Sequence, residues 1–198
     1  MRDRPYHHGD LHEALVSAGL AAAGEGGPDA IALRDLAKAV GVSPTAAYRH
    51  FPSLEHLVAA VAQRARERLA TAMRDAMDSV VATDPAERAW RRLRASGRAY
   101  VEFATAEPNL FATAFVPCAA PPPRDDAPDA WSLLVGALEV LAELSELAPS
   151  ARQMAPVIAW SAVHGLAGIL SSAAPPGAVT PAEATEAVLD GVQRALRA

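Results

Sequence analysis

Residues 31–51 constrain the fold of this chain more than any other stretch. In their first half, apolar residues recur at the spacing of one helix face, at Leu33, Leu36, Ala37 and Val40. Gly41 then ends the helix, because glycine adopts the left-handed conformation at little cost. Ser43 can cap a second helix, and Pro44 suits its first turn. Two short helices joined by such a tight turn form a helix-turn-helix.

A helix-turn-helix places its second helix in the major groove of DNA, while its first helix crosses the backbone. Thr45 and Ala46 can contact a thymine methyl group, and Arg49 can donate hydrogen bonds to guanine or to phosphate. The residues expected to contact DNA are Arg34, Lys38, Ser43, Thr45, Ala46, Tyr48, Arg49 and His50. Phe51, the next residue, is expected in the core.

The charge of the chain argues mildly against a DNA partner. Eighteen basic and 23 acidic residues give a net charge of −5, and five basic against six acidic residues give −1 within residues 1–52 before histidines. DNA-binding modules are usually basic, because neutralising phosphates supplies most of their affinity. The cations of this chain must therefore be clustered rather than abundant.

Composition favours an all-α fold, because alanine, the best helix former, dominates a chain that is 51% hydrophobic. The single cysteine, Cys118, excludes an internal disulfide. The N-terminus lacks the apolar core of a signal peptide, and no apolar run approaches the roughly 20 residues that span a bilayer. We therefore expect a cytoplasmic protein without membrane contact. No catalytic, metal-ligand or dinucleotide-binding motif is present, so no enzyme activity, metal or cofactor is expected.

The long apolar pattern after the helix-turn-helix indicates a second domain. Pro52 ends the second helix of the motif, and Ser53 is expected to cap a helix that runs to about Val80. We expect a DNA-binding domain in residues 1–52 and a helical effector-binding and dimerisation domain in residues 53–198.

Shorter segments are predicted from their polar, glycine and proline residues. Residues 1–9 are interpreted as a flexible arm, and Asp10 with Glu13 three positions later is interpreted as a capping box that opens the first helix. Residues 24–29 are expected to form a loop, and the proline-rich residues 117–129 a mobile loop.

The second domain holds most of the large side chains of the chain. A helical core can enclose an apolar pocket with a few polar groups, which suits a small effector, although a plain core is the alternative interpretation. The residues expected to bind a ligand are Trp90, Tyr100, Phe103, Phe111, Phe115, Trp131, Trp160 and His164. The arginines interleaved with the first of them are expected to form a solvated face, at Arg88, Arg91, Arg92, Arg94 and Arg98.

Two motifs resemble a known family. The pattern aliphatic-x-LRDLA, the GVS turn and the closing YRHFPS resemble the TetR family of bacterial transcriptional regulators, over residues 11–57. A Trp160-x-x-x-His164-Gly165 pattern resembles the C-terminal domain of the TetR branch named for its Trp-His-Gly motif. Ala32 and Leu54 depart from the family pattern, since the family commonly has a capping threonine and a lysine at these positions.

The resemblance implies a fold and a function. The fold would be all-α, with a three-helix DNA-binding domain followed by a larger helical domain. The function would be that of a homodimeric regulator, in most cases a repressor that leaves its operator when an apolar or aromatic effector binds. It also implies that Tyr48 bonds a phosphate through its hydroxyl. We expect the apolar stripes of residues 151–172 and 180–196 to form the two-fold interface. A helical small-molecule-binding enzyme and a regulator without a ligand are the alternatives.

Overall fold

A computed structural model describes residues 8–117, 129–172 and 179–197 of the chain. This described part consists of helices and the turns and loops that connect them. Nine α-helices and one short 3-10 helix, Pro28–Ala30, occur there, and the described residues contain no strand. The α-helices are α1 His8–Gly26, α2 Leu33–Ala39, α3 Pro44–His50, α4 Leu54–Asp78, α5 Pro85–Ala106, α6 Pro108–Ala114, α7 Ala130–Glu143, α8 Ala155–Ser172 and α9 Pro181–Leu196. The expectation of an all-α fold is confirmed.

Two expectations about the first helix are wrong. Helix α1 begins at His8, so Asp10 lies within it and is not its N-cap. The helix also continues to Gly26, through half of the loop expected at residues 24–29, because its alanine-rich sequence tolerates the roughly 1 kcal/mol that an internal glycine costs. Gly27, at φ +72°, then ends it. Of the arm expected at residues 1–9, residues 8–9 belong to α1, so that part of the expectation is wrong, and residues 1–7 lie outside the described residues. Residues 118–128, most of the loop expected at residues 117–129, also lie outside them.

The helices divide into two compact units. The first takes in Met1–Arg66 and Pro108–Ala127, and the second takes in Glu67–Glu107 and Pro128–Ala198. Helix α4 is continuous across the division and contributes to both units. This division by contacts differs from the functional boundary expected after Pro52, which stays a prediction.

In the first unit, α1 packs against α2, α3 and α6. Its core is built from the apolar faces of these helices and of α4, including Leu15, Ile31, Leu36, Phe51, Leu57, Val61 and Leu110. The side-chain amide of Asn109 ties α6 to the end of α1, because its Nδ2 lies 3.1 Å from the Gly24 carbonyl oxygen and 3.0 Å from that of Glu25.

In the second unit, α5 packs against α7, α8 and α9. A buried cluster in this unit combines α5, α7, α8 and α9 with the α7–α8 connection; its larger residues are Trp90, Leu93, Leu134, Leu138, Leu141, Leu147, Val192 and Leu196. Helices α5 and α9 approach closely at Gly97, where an added Cβ would lie 2.7 Å from Leu189 Cδ2. The expectation that the apolar stripe of α9 forms an intermolecular interface is therefore wrong, because Leu189, Val192 and Leu196 are buried within the same chain.

Side-chain caps fix where two helices of this unit begin. At α5, the Asp84 carboxylate accepts a 2.7 Å hydrogen bond from the backbone N–H of Glu87. At α9, Thr180 and Glu183 form a capping box with Pro181 at the first position, as the sequence predicts. The backbone N–H of Thr180 donates to the Glu183 carboxylate at 2.8 Å, which lowers the pKa of that carboxyl.

Helix α8 is the least buried long apolar helix of the described part. Only Ala155, Ala159 and Ala167 are buried among its 18 residues. Its mean hydropathy of 1.3 makes it the one described helix that is long and apolar enough to cross a membrane, although such a single helix is weak evidence for a membrane span. The exposed residues of α8 include Val157 and Ile169, at 46% and 49% exposure. The single chain therefore leaves an apolar surface uncovered.

Candidate DNA-binding and effector-binding sites

The start of α3 is fixed by its cap and by the turn before it. Gly41 lies at φ +77°, where residues with a side chain are strained. Ser43 is the N-cap, its Oγ lies 3.2 Å from the backbone nitrogen of Ala46, and Pro44 opens the helix. The cap and turn predicted from the sequence are both confirmed. At α2, Ala32 is the N-cap and makes no side-chain cap.

The inner side of α3 is anchored in the first unit. Ala47 is fully buried, and Phe51, at the C-cap, is 2% exposed, which confirms the core position predicted for it. The Phe51 ring stacks on His12 of α1 with ring centroids 4.6 Å apart. Helix α3 is thus held in the first unit by its central residue and by its C-cap residue.

The residues predicted to contact DNA lie on α2, on α3 and at the N-cap of α3. All eight are at least partly exposed, and six of them are clearly exposed: Arg34, Lys38, Ser43, Thr45, Tyr48 and Arg49. Tyr48 is 44% exposed although it is a large aromatic residue. The structure therefore places the predicted residues on the surface, as a DNA-contacting role requires. Their individual contacts with DNA stay predictions.

A cavity lies within the second unit between α5, α7, α8 and α9, with Met73 of α4 in its wall. Its apolar wall is made of Met73, Leu93, Leu134, Val163, Leu189 and Val192, and its aromatic wall of Trp90, Tyr100 and Trp160. The polar residues that reach it are Arg94, Ser96, His164 and Gln193. The volume of this cavity is about 40 Å³.

Tyr100 and His164 form a hydrogen-bonded pair at the cavity wall. The Tyr100 hydroxyl lies 2.7 Å from His164 Nδ1, and which of the two donates depends on the tautomer of the histidine. Burial raises the pKa of Tyr100 and lowers the pKa of His164, so both side chains are uncharged near neutral pH. Trp160 stacks on His164 with centroids 5.5 Å apart and an interplanar angle of 12°.

Arg94 borders the same cavity as part of an ion network between α5 and α9. Its guanidinium lies 2.5 Å from the carboxylates of both Glu186 and Asp190, and Glu186 also accepts two hydrogen bonds from Arg98. Burial alone would lower the pKa of Arg94, but the hydrogen bonds to Asp190 and Glu186 raise it overall, so Arg94 stays charged. The two carboxylates of Glu186 and Asp190 are thus shared by two guanidinium groups, those of Arg94 and Arg98.

Glu146 fixes the orientation of Trp90 at the far wall. Its carboxylate accepts a 2.9 Å hydrogen bond from the Trp90 indole nitrogen and a 3.0 Å hydrogen bond from Arg197. The Arg197 guanidinium also lies 5.6 Å from the Trp90 ring centroid, within cation–π range. The end of α9 and the α7–α8 connection therefore hold this ring in place.

The structure brings together only part of the predicted ligand-binding set. Trp90, Tyr100, Trp160 and His164 line the cavity. Trp131 packs edge-on against Trp160 with centroids 5.5 Å apart but is 41% exposed itself. The remaining three, Phe103, Phe111 and Phe115, do not line it, and the last two belong to α6 and its end in the first unit. The ligand-binding role of the whole set stays a prediction.

Sequence reasoning missed the charged and small residues of the cavity. It assigned Arg94 to a solvated face, whereas the Arg94 side chain is only 21% exposed and borders the cavity. The signal was present in the sequence, because positions 90, 94, 97 and 100 follow the spacing of one helix face. Arg94 lies on the inner stripe between Trp90 and Tyr100.

Among the described residues, no group of three His, Cys, Asp or Glu side chains is placed to hold a metal ion.

The chain belongs to the TetR family of helix-turn-helix transcription regulators. Residues 15–61 match the family model described as "Bacterial regulatory proteins, tetR family", and residues 93–192, half of the chain, match "Tetracyclin repressor-like, C-terminal domain". The Trp-His-Gly branch is not among these matches and stays a prediction. None of the curated protein sequences matches this chain significantly.

Solved structures share the fold over nearly the whole chain. A protein of unknown function from Rhodococcus sp. RHA1 is 26% identical over 99% of this chain and all of that one, with a TM-score of 0.73. PfmR, a TetR family regulator from Thermus thermophilus, is 22% identical over 91% and 97% of the two chains, with a TM-score of 0.56. RolR, solved with resorcinol bound, is 16% identical over 95% and 88%, with a TM-score of 0.64.

Proposed function

We propose that this protein is a cytoplasmic, homodimeric repressor that binds operator DNA through α3 and leaves it when a small effector occupies the cavity of the second unit. The observation that carries the proposal is the construction of α3 in a chain of this family. Its inner face is anchored by Ala47 and Phe51, while Thr45, Tyr48 and Arg49 are exposed. An exposed, polar, well-capped helix of this motif is suited to the major groove.

The proposed DNA contacts divide into two kinds. Thr45, Ala46 and Arg49 contact base edges, and Arg49 supplies the strongest preference because a bidentate contact to guanine is worth about 1–3 kcal/mol. The residues that hold phosphates and position the protein are Arg34, Lys38, Ser43, Tyr48 and His50. The exposed cations of α2 and α3 lie close together in sequence, which suits the clustering that the acidic net charge demands.

The proposed dimer forms through the exposed face of α8. Gly165 and Gly168 are exposed, and a Cβ added at either would meet nothing within 4 Å. Small residues of this kind allow a second helix to approach closely, and Val157 and Ile169 on the same helix provide apolar area to bury. A dimer explains why an apolar helix of 18 residues is left so little buried in one chain.

The proposed switch acts through α4. This helix begins four residues after α3 ends, and its Met73 side chain lines the cavity. A cavity that holds one benzene molecule measures about 150 Å³, so a cavity of about 40 Å³ must expand to take a ligand of that size. Expansion would displace α4 and change the spacing of the two recognition helices. A coupling of about 1–3 kcal/mol would weaken operator binding roughly 5–150-fold.

The test is a titration of the protein against the DNA just upstream of its own gene, with unrelated DNA of the same length as control. Specific DNA is expected to bind at least about a thousandfold more tightly than unrelated DNA. Equal affinity for both DNAs would overturn the repressor. Turnover of a small molecule by a protein without DNA preference would instead favour the enzyme. Specific binding that no ligand alters, although ligand occupies the cavity, would favour a regulator without an effector.

A further inference from the structure

The cavity of the second unit has a chemistry that restricts what can occupy it. Resting on the effector-binding role proposed above, we propose that it selects an uncharged molecule about the size of one aromatic ring that carries a hydroxyl group. The hydroxyl takes a place between Tyr100 and His164. The argument has three parts, which concern charge, hydrogen bonding and size.

The charge of the lining excludes charged ligands. Among the described residues that line the cavity, Arg94 is the only one with a formal charge at neutral pH. Glu186 and Asp190 already pair with Arg94, and Glu186 also pairs with Arg98, so an anion that approaches Arg94 also approaches two carboxylates. A cation finds no carboxylate in the lining. Burying an unpaired charge is costly, so an uncharged ligand is favoured.

The hydrogen bond between Tyr100 and His164 favours a hydroxyl. The two atoms lie 2.7 Å apart, so separating them without replacement would leave two polar groups unsatisfied at the cavity wall. A hydroxyl group both donates and accepts, and can therefore replace this one hydrogen bond by two, whichever partner donates. A carbonyl oxygen can only accept and an ammonium group can only donate, so neither satisfies both partners.

The aromatic walls and the volume set the size and shape. Trp160 stacks flat on His164 and meets Tyr100 edge-on, with centroids 5.6 Å apart. Aromatic side chains pair favourably with further rings in edge-on or offset arrangements. A cavity of about 40 Å³ has to expand even for a single ring, so larger ligands are disfavoured. Trp160 is half-buried, whereas Trp90 and Tyr100 are buried.

The experiment is isothermal titration calorimetry of the full chain with four probes of one ring size: phenol, toluene, benzoate and benzylammonium. Phenol and toluene are expected to bind, while benzoate and benzylammonium bind at least about tenfold more weakly than phenol, the ratio that 1.4 kcal/mol produces. Benzoate or benzylammonium binding as tightly as phenol would overturn the selection by charge. Failure of all four probes to bind would overturn the inference as a whole.

The role of the hydroxyl is tested by a matched pair of variants. Tyr100→Phe should lower the preference for phenol over toluene about fivefold, as expected for the loss of one net hydrogen bond. Tyr48→Phe removes the same atom from exposed α3 and should leave that preference unchanged. His164→Leu removes the other partner and should lower the preference as Tyr100→Phe does. A phenol preference that both cavity variants retain would overturn the insertion between Tyr100 and His164.

The role of the ion network is tested by a gain of binding. In the double variant Glu186→Gln, Asp190→Asn, Arg94 keeps amide partners but loses both neutralising charges. Benzoate affinity should then rise at least about tenfold, while phenol affinity stays within about twofold. Unchanged benzoate affinity would overturn the assignment of charge selection to Arg94 and its two carboxylates.

Operator titrations on the same samples separate this inference from the proposed function. If the protein binds specific DNA and no probe, the inference on the ligand fails and the DNA-binding function stands. If phenol binds as expected and specific DNA does not, the repressor fails and the chemistry of the cavity stands.

Discussion

Helices α3 and α8 are both poorly buried by their own chain, but they expose opposite chemistry. Helix α3 buries only Ala47 among its seven residues, and its exposed residues after Pro44 are Thr45, Tyr48 and Arg49, which carry polar or basic groups. Helix α8 buries three of its 18 residues, and its exposed residues are mainly apolar or glycine, as at Val157, Ile169 and Gly168, with Ser161 and Ser172 as the exposed polar residues. By contrast, α5 buries eight of its 22 residues within the second unit.

The difference between α3 and α8 indicates two kinds of partner. A polar, basic face gains from phosphates and base edges, whose charge and hydrogen bonds it matches. An apolar face with glycines gains from another apolar surface, because burying it removes area from water at about 25 cal/mol per Å². A single chain that exposes both is therefore suited to bind DNA with one helix and a second copy of itself with the other.

The largest effect is expected from a charge on the exposed face of α8. Gly168→Glu adds a side chain where an added Cβ meets nothing within 4 Å, and glutamate is a better helix former than glycine, so the single chain should fold normally. In a dimer, the two introduced carboxylates would be buried near each other. Light scattering should show a monomer, and operator affinity should fall at least about a hundredfold through loss of bivalent binding.

Gly136→Glu on α7 is the matched control for this prediction. An added Cβ at Gly136 also meets nothing within 4 Å, but α7 is not part of the proposed interface. The control variant should remain dimeric and bind operator as the wild type does. A Gly168→Glu protein that stays dimeric would remove α8 from the interface.

A smaller effect is expected from the base-reading part of α3. Arg49→Ala should weaken operator binding by about 1–3 kcal/mol and relax the sequence preference at one position in each half-site. Arg91→Ala is the control, because Arg91 is exposed on α5 and forms a surface ion pair with the neighbouring Glu87. Anisotropy titrations with a set of single-base operator variants measure both quantities. An Arg49→Ala protein with unchanged preference would show that Arg49 does not read a base.

The same comparison explains how much of the fold was predictable from sequence. The start of α3 follows from local chemistry alone, because Gly41, Ser43 and Pro44 act on their immediate neighbours. The capping box of α9 is predictable for the same reason. The start of α1 was mispredicted at Asp10, because a good cap residue can also lie inside a helix when the residues before it are helical.

Long-range packing limited the prediction of the second unit. The apolar stripe of α9 was visible, but the sequence does not tell whether Leu189 and Val192 pack within one chain or between two. The cavity was predicted in part, since aromatic residues mark a large core but not which of them meet. Phe111 and Trp160 are both aromatic and were both predicted to bind the ligand, yet they belong to different units. Arg94 was missed because its partners, Glu186 and Asp190, lie about 90 positions away.

A further prediction separates phosphate gripping from base reading on α3. Tyr48→Phe keeps the exposed ring and removes only the hydroxyl, so operator affinity should fall by about 1 kcal/mol, the net contribution of one hydrogen bond. The preference among single-base operator variants should not change, in contrast to Arg49→Ala. An unchanged affinity would show that the Tyr48 hydroxyl does not bond the DNA backbone.

The smallest effect is expected at the inner edge of α8, where His164 turns from the exposed face toward the cavity. Burial lowers the pKa of His164 below its ordinary value of 6.5. At a pH between the lowered pKa of the folded chain and the ordinary value of 6.5, the unfolded chain binds more protons at this histidine than the folded chain does. Stability therefore falls as the pH falls below about 6.5. The loss ends once the pH is below the pKa of the folded state, because both states are then protonated.

The measurement is urea unfolding of wild type and His164→Gln between about pH 7.5 and pH 5. The unfolded and folded states differ by less than one bound proton at this histidine, so its contribution to the free energy of unfolding changes by less than about 1.4 kcal/mol per pH unit. This pH range stays above the ordinary pKa of 4.5 for Glu186. Because the pKa of Glu186 is lowered in the folded chain, its contribution to stability is lost only at a lower pH. The difference in stability between the two proteins should narrow as the pH falls, because only the wild type loses stability at this histidine. A difference that is constant over the range would show that His164 is solvated in the folded protein, and α8 would then expose its polar edge as well as its apolar face.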